Sequence, residues 1–277
     1  MSETLFSLGA HLRRAATELG SRLEAEILLA HALHKNRAWL YAHPDQMLEA
    51  SHAATLKNLV ERRCAGEPVA YLIGMREFYG REFLVTPDVL IPRPETEHLV
   101  ERALDLHLPS TARVVDVGTG SGCIGLTLAA ERPTWQVLAL DLCPQALTVA
   151  HRNRQRLGLE RVSLAESDLL SALTSRDYDL VVSNPPYVAA GDPHLERGDL
   201  RFEPAIALSC DDGGLALIRK LAAQASTRLK PGGWLLVEHG HEQGASVSEL
   251  FRCAGFNQIE TSLDLAGLPR LTAGQLP

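Results

Sequence analysis

The sequence predicts an α/β protein: a parallel, doubly wound sheet with helices on both faces, behind a small N-terminal helical domain. Three observations predict it. From residue 113 onward, short apolar β-type runs alternate strictly with helical patterns. Residues 1–65 contain no such runs, and Leu12, Leu19, Leu23, Ile27, Leu28 and Leu33 recur there at helical spacing. A glycine cluster at 118–125 stands where the first strand of the alternating region must hand over to a helix.

The elements follow in order. Ser21 is placed to cap a helix, with Glu24 three residues on as its capping-box partner. Pro44 interrupts the pattern after Trp39-Leu40-Tyr41, and a further helix runs to about Arg63 before Gly66 and Pro68 end the region. Val69–Ile73, Phe78-Tyr79 and Phe83–Val85 read as short β-type runs split by Gly74 and Gly80, a hairpin linker stiffened by Pro87, Pro92 and Pro94. A helix is expected from Glu95 to about His107. The domains expected are therefore 1–68, helical; 69–94, hairpin linker; and 95–277, α/β. In the last, strands are expected at Arg113–Val117, Gln136–Leu140, Val162–Ala165, Tyr178–Ser183, Trp234–Glu238, Phe256–Ser262 and Arg270–Ala273. Helices to about Arg132 and over Pro144–Leu157, Leu215–Leu229 and Glu242–Ala254 fall between them.

Composition narrows the functional classes. At 277 residues, 45% hydrophobic, 5% aromatic and with a mean hydropathy of −0.03, the chain has an ordinary globular profile. No apolar run approaches the ~18 residues of a membrane helix. Met-Ser-Glu-Thr has neither basic region nor apolar stretch, so no secretory signal is expected. The five cysteines are scattered and form no CxxC pair, which fits reduced thiols in a cytoplasm rather than a disulfide framework or zinc site. Residues 1–75 hold eight basic and eight acidic side chains, so the net charge of −7 lies wholly in the remainder. That balance disfavours a protein that grips long nucleic acid.

The glycine segment reads Val114-Val-Asp-Val-Gly-Thr-Gly-Ser-Gly-Cys-Ile-Gly125. Gly118, Gly120 and Gly122 permit a tight turn and close approach of a ligand. The helix that follows offers free N–H groups, and Asp141, ending the second strand, can accept both hydroxyls of a ribose. A nucleoside-bearing cofactor is implied. Gly120, Gly122 and Gly125 also satisfy the dinucleotide spacing, whereas Asp116 ahead of Gly118-x-Gly120-x-Gly122 resembles the S-adenosylmethionine loop of class I methyltransferases. Asp116 is either a carboxylate that holds the loop or a ligand contact.

Val181-Val-Ser-Asn-Pro-Pro-Tyr187 ends the fourth strand, where open α/β sheets hold their sites. Pro185 and Pro186 lock φ and remove two donors, so the backbone there can only accept. Asn184 adds a carbonyl acceptor and Tyr187 a flat face. Convergent acceptors and a flat face suit a planar NH2 group on a conjugated carbon. Such a nitrogen is a poor nucleophile. Hydrogen bonds to Asn184 Oδ1 and the Pro185 carbonyl favour a pyramidal nitrogen, ready for in-line methyl transfer without a strong base.

Together the motifs resemble the release-factor glutamine N5-methyltransferase family over nearly the whole chain. Tyr71-Leu-Ile-Gly74 with Phe78 and Phe83 resembles its interdomain hairpin, and Leu90-Ile-Pro-Arg-Pro-Glu-Thr-Glu97 its segment before the catalytic domain. Asp116–Gly122, Asn184–Tyr187, Arg201-Phe-Glu-Pro204 and Glu238-His-Gly240 complete the likeness. The resemblance implies a class I, Rossmann-like S-adenosylmethionine-dependent domain. It implies methylation of the glutamine of the Gly-Gly-Gln tripeptide in peptide chain release factors, with the helical domain binding the factor. It places Gly118, Thr119, Gly120, Ser121, Gly122, Asp141 and Asn184 at the cofactor. Asp168 would sit at the adenine edge, and Leu169 would pack on the adenine where some members stack an aromatic ring. It implies Asn184 and Pro185 as the catalytic pair and Asn184, Pro185, Pro186 and Tyr187 around the glutamine.

Arg93 and Glu97 either line the cleft or brace the linker. His239 and His241 lack a third ligand, so no metal is expected. The runs Arg152–Arg156, Arg13-Arg14 and Arg62-Arg63 read as solvated helix faces. A cytoplasmic monomer without membrane or long nucleic-acid partners is expected, releasing S-adenosylhomocysteine. Three other functions compete: a DNA amino-methyltransferase acting on adenine N6 or cytosine N4, a nicotinamide-dependent oxidoreductase, and a non-enzymatic ribosome- or factor-binding module. The first lacks a basic grip for base flipping. The second leaves Asn-Pro-Pro-Tyr without a role, and the third uses the N-terminal helices alone.

Overall fold

Apolar residues at helical spacing fold the start of the chain into a helical cluster. In the computed structural model, which describes residues 6–196 and 198–277, this cluster comprises α1 (Leu8–Leu19), α2 (Arg22–Ala32), α3 (Arg37–Ala42) and α4 (Ala50–Cys64). Ser7 caps α1, and Gly20 at φ 66° ends it in the left-handed region. Leu12, Leu28 and Leu29 enter the shared core, but Leu23 from the same periodic set is 51% exposed. Half of the expected capping box forms. Ser21 Oγ accepts from Glu24 N at 3.3 Å, while the Glu24 carboxylate turns away to an ion pair with Arg63 at 2.8 Å. Glu26, buried on α2, stays ionised. Hydrogen bonds from Tyr41, Arg22 and Arg37 outweigh desolvation and bring its pKa down to about 2.

Val69–Ile73 is not a strand. It forms α5, entered from Pro68 at φ −58° and ended by Gly74 at φ 73°. Ala70, Tyr71 and Leu72 are buried consecutively, which the alternation of a half-buried strand does not allow. The chain divides into two compact units between Met75 and Arg76. The hairpin that follows has strands β1 (Met75–Phe78) and β2 (Arg81–Leu84). Its two-residue turn, Tyr79-Gly80, has positive φ at both positions, as a primed turn requires. Phe78 and Phe83 bury edge to face, ring centres 6.1 Å apart.

In the second unit, α6 (Glu97–Asp105) follows a 3-10 turn over Pro94–Thr96. Then come β3 (Arg113–Val117), α7 (Cys123–Glu131), β4 (Gln136–Asp141), α8 (Pro144–Arg156), β5 (Ser163–Glu166) and β6 (Tyr178–Ser183). The short pieces β7 (Val188–Ala189), α9 (Ala205–Leu208), β8 (Ser209–Cys210) and α10 (Asp211–Gly214) lead to α11 (Ala216–Ala225). The chain closes with β9 (Leu229–Glu238), α12 (Gly244–Cys253), β10 (Asn257–Leu263) and β11 (Pro269–Gln275). The seven-stranded sheet has the order β10-β11-β9-β6-β3-β4-β5. The strands from β9 to β5 run parallel, so the fold is α/β as expected. The sheet is mixed rather than wholly parallel, because β11 runs antiparallel to both β10 and β9. Only residues 264–268 join β10 to β11, too few for the crossover that parallel pairing needs.

β3 is buried from Val114 to Val117, and its valines divide between the two faces of the sheet. Val114 packs into one face cluster, and Val115 and Val117 into the other. The strand order reverses between β3 and β6, which opens a crevice at their carboxyl ends. Both motif loops lie there.

Candidate active site

The glycine loop leaves β3 with Gly118, Gly120 and Gly122 at φ 70°, 55° and 85°. Its shape is set by carboxylates and one amide. Asp116, fully buried, accepts from Thr119 Oγ1 at 2.6 Å and Gly125 N at 2.9 Å. It holds the loop rather than facing a ligand. Desolvation pushes its pKa up to about 6 despite these bonds. Asp141 accepts from Gly120 N at 2.8 Å and Cys143 N at 2.9 Å, and burial raises its pKa too. Asn153 donates to the Ser121 carbonyl at 2.8 Å and to the Leu84 carbonyl at 2.9 Å, tying the loop to the hairpin.

A cleft open to solvent runs over this loop. Gly118, Thr119, Gly120, Ser121, Asp141, Asp168, Leu169 and Asn184 all line it, as does Pro186. Gly122, Pro185 and Tyr187 are not on its wall. Gly122 instead starts α7, and a Cβ there would strike Leu126 Cδ1 at 2.7 Å. A Cβ on Gly118 or Gly120 would meet no atom within 4 Å, so these two keep space open above the loop.

Those features fit S-adenosylmethionine. The cleft has a glycine cradle, a helix N-terminus and, at Asp141, carboxylate oxygens that can each accept more than one hydrogen bond. Leu142 and Ile206 add apolar walls while remaining more than half exposed. Leu169 sits at φ 53°, outside the usual range for a bulky residue. Its neighbour Leu170 is anchored by Gln224 Oε1 at 2.7 Å from its N–H. Asp168 pairs with Lys220 at 2.5 Å.

The Asn-Pro-Pro-Tyr loop leaves β6 and is held by donors from outside it. Asn184 Nδ2 donates to Thr96 Oγ1 at 3.0 Å. Cys210 Sγ donates to the Pro186 carbonyl at 3.2 Å, and Gln243 Nε2 to the Tyr187 carbonyl at 2.9 Å. Gly214, at φ 85°, lets the α10 turn pass so close that a Cβ would lie 1.9 Å from the Tyr187 oxygen. Pro185 is buried. Its carbonyl has no hydrogen-bond partner among the described residues. Tyr187 Oη donates to Glu238 Oε1 at 3.4 Å, and burial pushes the phenol's pKa up. Desolvation lifts Glu238 to about 7, opposed by the neighbouring Thr96 hydroxyl, by Arg270 and by Tyr187; its Oε2 has no hydrogen-bond partner among the described residues.

The remaining residues sort themselves. Arg93 does both things expected of it: it lines the cleft and pairs with buried Glu203, whose other oxygen accepts from Ile91 N at 3.0 Å. Glu97 braces the hairpin by accepting from Tyr79 N at 2.8 Å. His239 is buried, with Nε2 2.8 Å from Thr272 Oγ1 and Nδ1 2.9 Å from the Gly240 carbonyl. No metal-ligating cluster occurs among the described residues. Thr96, Glu203, Lys220, Cys210 and Gln243 were missed as site supports. Thr96 and Glu203 fall inside the Leu90–Glu97 and Arg201–Pro204 segments without a role being read for them, and Lys220, Cys210 and Gln243 reach the site from parts of the chain that no local spacing marks.

Comparison with known proteins places the chain among methyltransferases. The family models described as PrmC N-terminal domain and Methyltransferase small domain match residues 9–74 and 96–199. A protein of Xylella fastidiosa named release factor glutamine methyltransferase is 49% identical over 96% of this chain and 97% of its own. One of that name from Shewanella oneidensis is 44% identical over 96% of this chain and 93% of its own. Among solved structures, a methyltransferase from Pyrococcus furiosus superposes with a TM-score of 0.55 at 16% identity. It covers 79% of this chain and 98% of that one, a likeness of fold.

Proposed function

The chain belongs to the release factor glutamine methyltransferase family, and from that premise we propose that it methylates the side-chain amide nitrogen of the glutamine in the Gly-Gly-Gln motif of peptide chain release factors. The methyl donor is S-adenosylmethionine, which when bound supplies an electrophilic methyl on a sulfonium sulfur. Gly118–Ser121 and Asp141 hold its ribose and methionine portions, and Asp168 and Leu169 border the adenine.

The observation that carries the reading is the state of the Asn-Pro-Pro-Tyr loop. The carbonyls of Pro186 and Tyr187 are already engaged, by Cys210 and Gln243. Asn184 spends its NH2 on Thr96, which leaves Oδ1 as the acceptor for substrate. Asn184 Oδ1 and the Pro185 carbonyl then take the two hydrogens of the glutamine amide. Both bonds favour a pyramidal nitrogen, and the excess proton leaves after the methyl has moved. Fixed acceptors stabilise the positive charge that develops on nitrogen.

The N-terminal helical unit docks the factor, and the enzyme works as a cytoplasmic monomer without metal or long nucleic acid. The acidic second unit supports this reading, since a protein loop needs no phosphate track. Mass spectrometry of a purified release factor after incubation with enzyme and cofactor tests it. One added methyl on the tripeptide glutamine is expected, and none on a factor carrying Gln→Ala there. Equal labelling of both factors, or transfer to duplex DNA instead, would overturn it.

A further inference from the structure

A proline locks φ but leaves ψ free, and ψ decides where that residue's carbonyl points. The Asn-Pro-Pro-Tyr loop therefore owes the aim of its carbonyls to partners outside it. Cys210 offers Pro186 a thiol, a weak donor. The strong donor is the amide of Gln243.

Gln243 stands at the N-terminal cap of α12, where glutamine is not a favoured residue, and its side chain makes no cap bond. The carboxamide reaches away from the helix and joins three turns. Its Nε2 donates to the Tyr187 carbonyl at 2.9 Å and to the Gly213 carbonyl at 3.0 Å. Its Oε1 accepts at 2.9 Å from Gly240 N, on the turn that leaves β9. Two carbonyls at one end and an N–H at the other admit a single orientation of the amide, with both hydrogens used. Two glycines make room for it. A Cβ on Gly214 would lie 2.8 Å from Gln243 Nε2, and one on Gly240 would lie 3.1 Å from Oε1. Asp212, just ahead of Gly213, is held at φ 57°, a left-handed conformation that persists only where the surroundings enforce it. Gln243 itself is not on the cleft wall.

We infer that Gln243 is a positioning residue for methyl transfer. It ties Tyr187 to the α10 turn and to the turn after Glu238, and so fixes the far end of the Asn-Pro-Pro-Tyr loop. With β6 holding the start of the loop and Gln243 its end, the Pro185 carbonyl between them has one direction to face. The inference rests on the reading of Asn184 Oδ1 and the Pro185 carbonyl as acceptors of the substrate amide hydrogens. It goes beyond that reading by making their placement depend on a side chain 56 residues beyond Tyr187. It also gives the Glu238-His-Gly240 segment a part, since Gly240 anchors the carboxamide.

The test compares Gln243→Glu, Gln243→Met and Asn184→Ala. Calorimetric titration with S-adenosylhomocysteine gives affinity and the number of competent sites. Kinetics with release factor give KM, and kcat per competent site. Glutamate keeps the length of glutamine and the acceptor for Gly240 N, but it loses both donors and sets a negative oxygen against two carbonyls. Its kcat per site should fall roughly tenfold, the worth of one oriented hydrogen bond, with cofactor affinity within about twofold of wild type. Methionine loses the donors without adding charge. Gln243 is half-buried, so water reaches the freed carbonyls, and kcat should fall less, by about threefold. Gln243→Met carries the test should Gln243→Glu fail to fold. Wild-type kcat per site in Gln243→Glu would overturn the inference. So would a loss confined to the number of competent sites, which is what a merely structural role produces. Wild-type turnover in Asn184→Ala would instead defeat the underlying reading of the loop. Loss there beside wild-type kcat in Gln243→Glu sinks the inference on Gln243 alone.

Discussion

The two loops at the carboxyl ends of neighbouring strands β3 and β6 are made rigid by opposite means. The glycine loop and the start of α7 are rich in N–H groups, and carboxylates fix them: Asp116 takes Gly125 N, and Asp141 takes Gly120 N. The Asn-Pro-Pro-Tyr loop has lost two N–H groups to proline, and donors fix its carbonyls: Cys210 on Pro186 and Gln243 on Tyr187. The first loop spends its carboxylates internally and presents open space over Gly118 and Gly120. The second spends its donors and presents an acceptor. On the proposed reading, cofactor binding falls to the first loop and transfer to the second, and that division can be tested.

Asn184→Ala makes the largest break. Removing one of two acceptors from the developing charge should lower kcat roughly a hundredfold, by analogy with loss of a single preorganised dipole elsewhere. The glycine loop is untouched, so S-adenosylhomocysteine affinity should stay within a few-fold of wild type. Steady-state kinetics beside calorimetric titration measures both. An affinity loss as large as the rate loss would mean that the two loops are one unit.

The comparison also explains what the sequence made legible. Glycine and proline act through their own backbone, so the positions of both loops could be read directly from Gly118–Gly122 and Asn184–Tyr187. Buried parallel strands announce themselves by unbroken apolar runs, as in Val114-Val115 and Leu180–Val182. The contacts of the supports were not legible, even where the residue itself, as with Thr96, lay in a recognised segment. Thr96 lies 88 residues from Asn184, and Gln243 lies 56 from Tyr187. Only the folded sheet brings them together. Val69–Ile73 misled for a related reason: five apolar residues suit either a strand or a buried helical turn, and flanking Pro68 and Gly74 decided for the helix. The antiparallel β11 was hidden because periodicity reports burial, not direction.

Gly120→Ala probes the opposite loop with a smaller effect. At φ 55° an alanine is strained by about 1 kcal/mol, and its Cβ enters the space that the glycine keeps clear. Cofactor affinity should weaken about tenfold, while kcat at saturating cofactor changes much less. This is the reverse of the Asn184→Ala pattern. A kcat defect that persists at saturation would show that the glycine loop also positions the reacting groups.

The last break is one of stability and concerns how the glycine loop carries its charge. Asp116 is fully buried, and its Oδ1 has no hydrogen-bond partner among the described residues. Desolvation raises its pKa from an ordinary 3.8 to about 6. Because the folded value is the higher one, the native state binds the proton more tightly than the unfolded chain does. That stabilisation is complete below pH 3.8 and is lost as pH rises through about 6, beyond which a buried charge is carried. Asp116→Asn removes the charge and keeps an oxygen for Thr119 and Gly125. Unfolding free energy of the variant minus wild type should therefore climb between pH 4 and 6, by about 2 kcal/mol, then level off above pH 6. Urea unfolding of both proteins at successive pH values reads this difference, in which titrating groups remote from Asp116 cancel. A difference that stays flat across that window would mean the loop carries its carboxylate at no cost. The contrast between a loop fixed by buried charge and one fixed by neutral donors would then lose its energetic content.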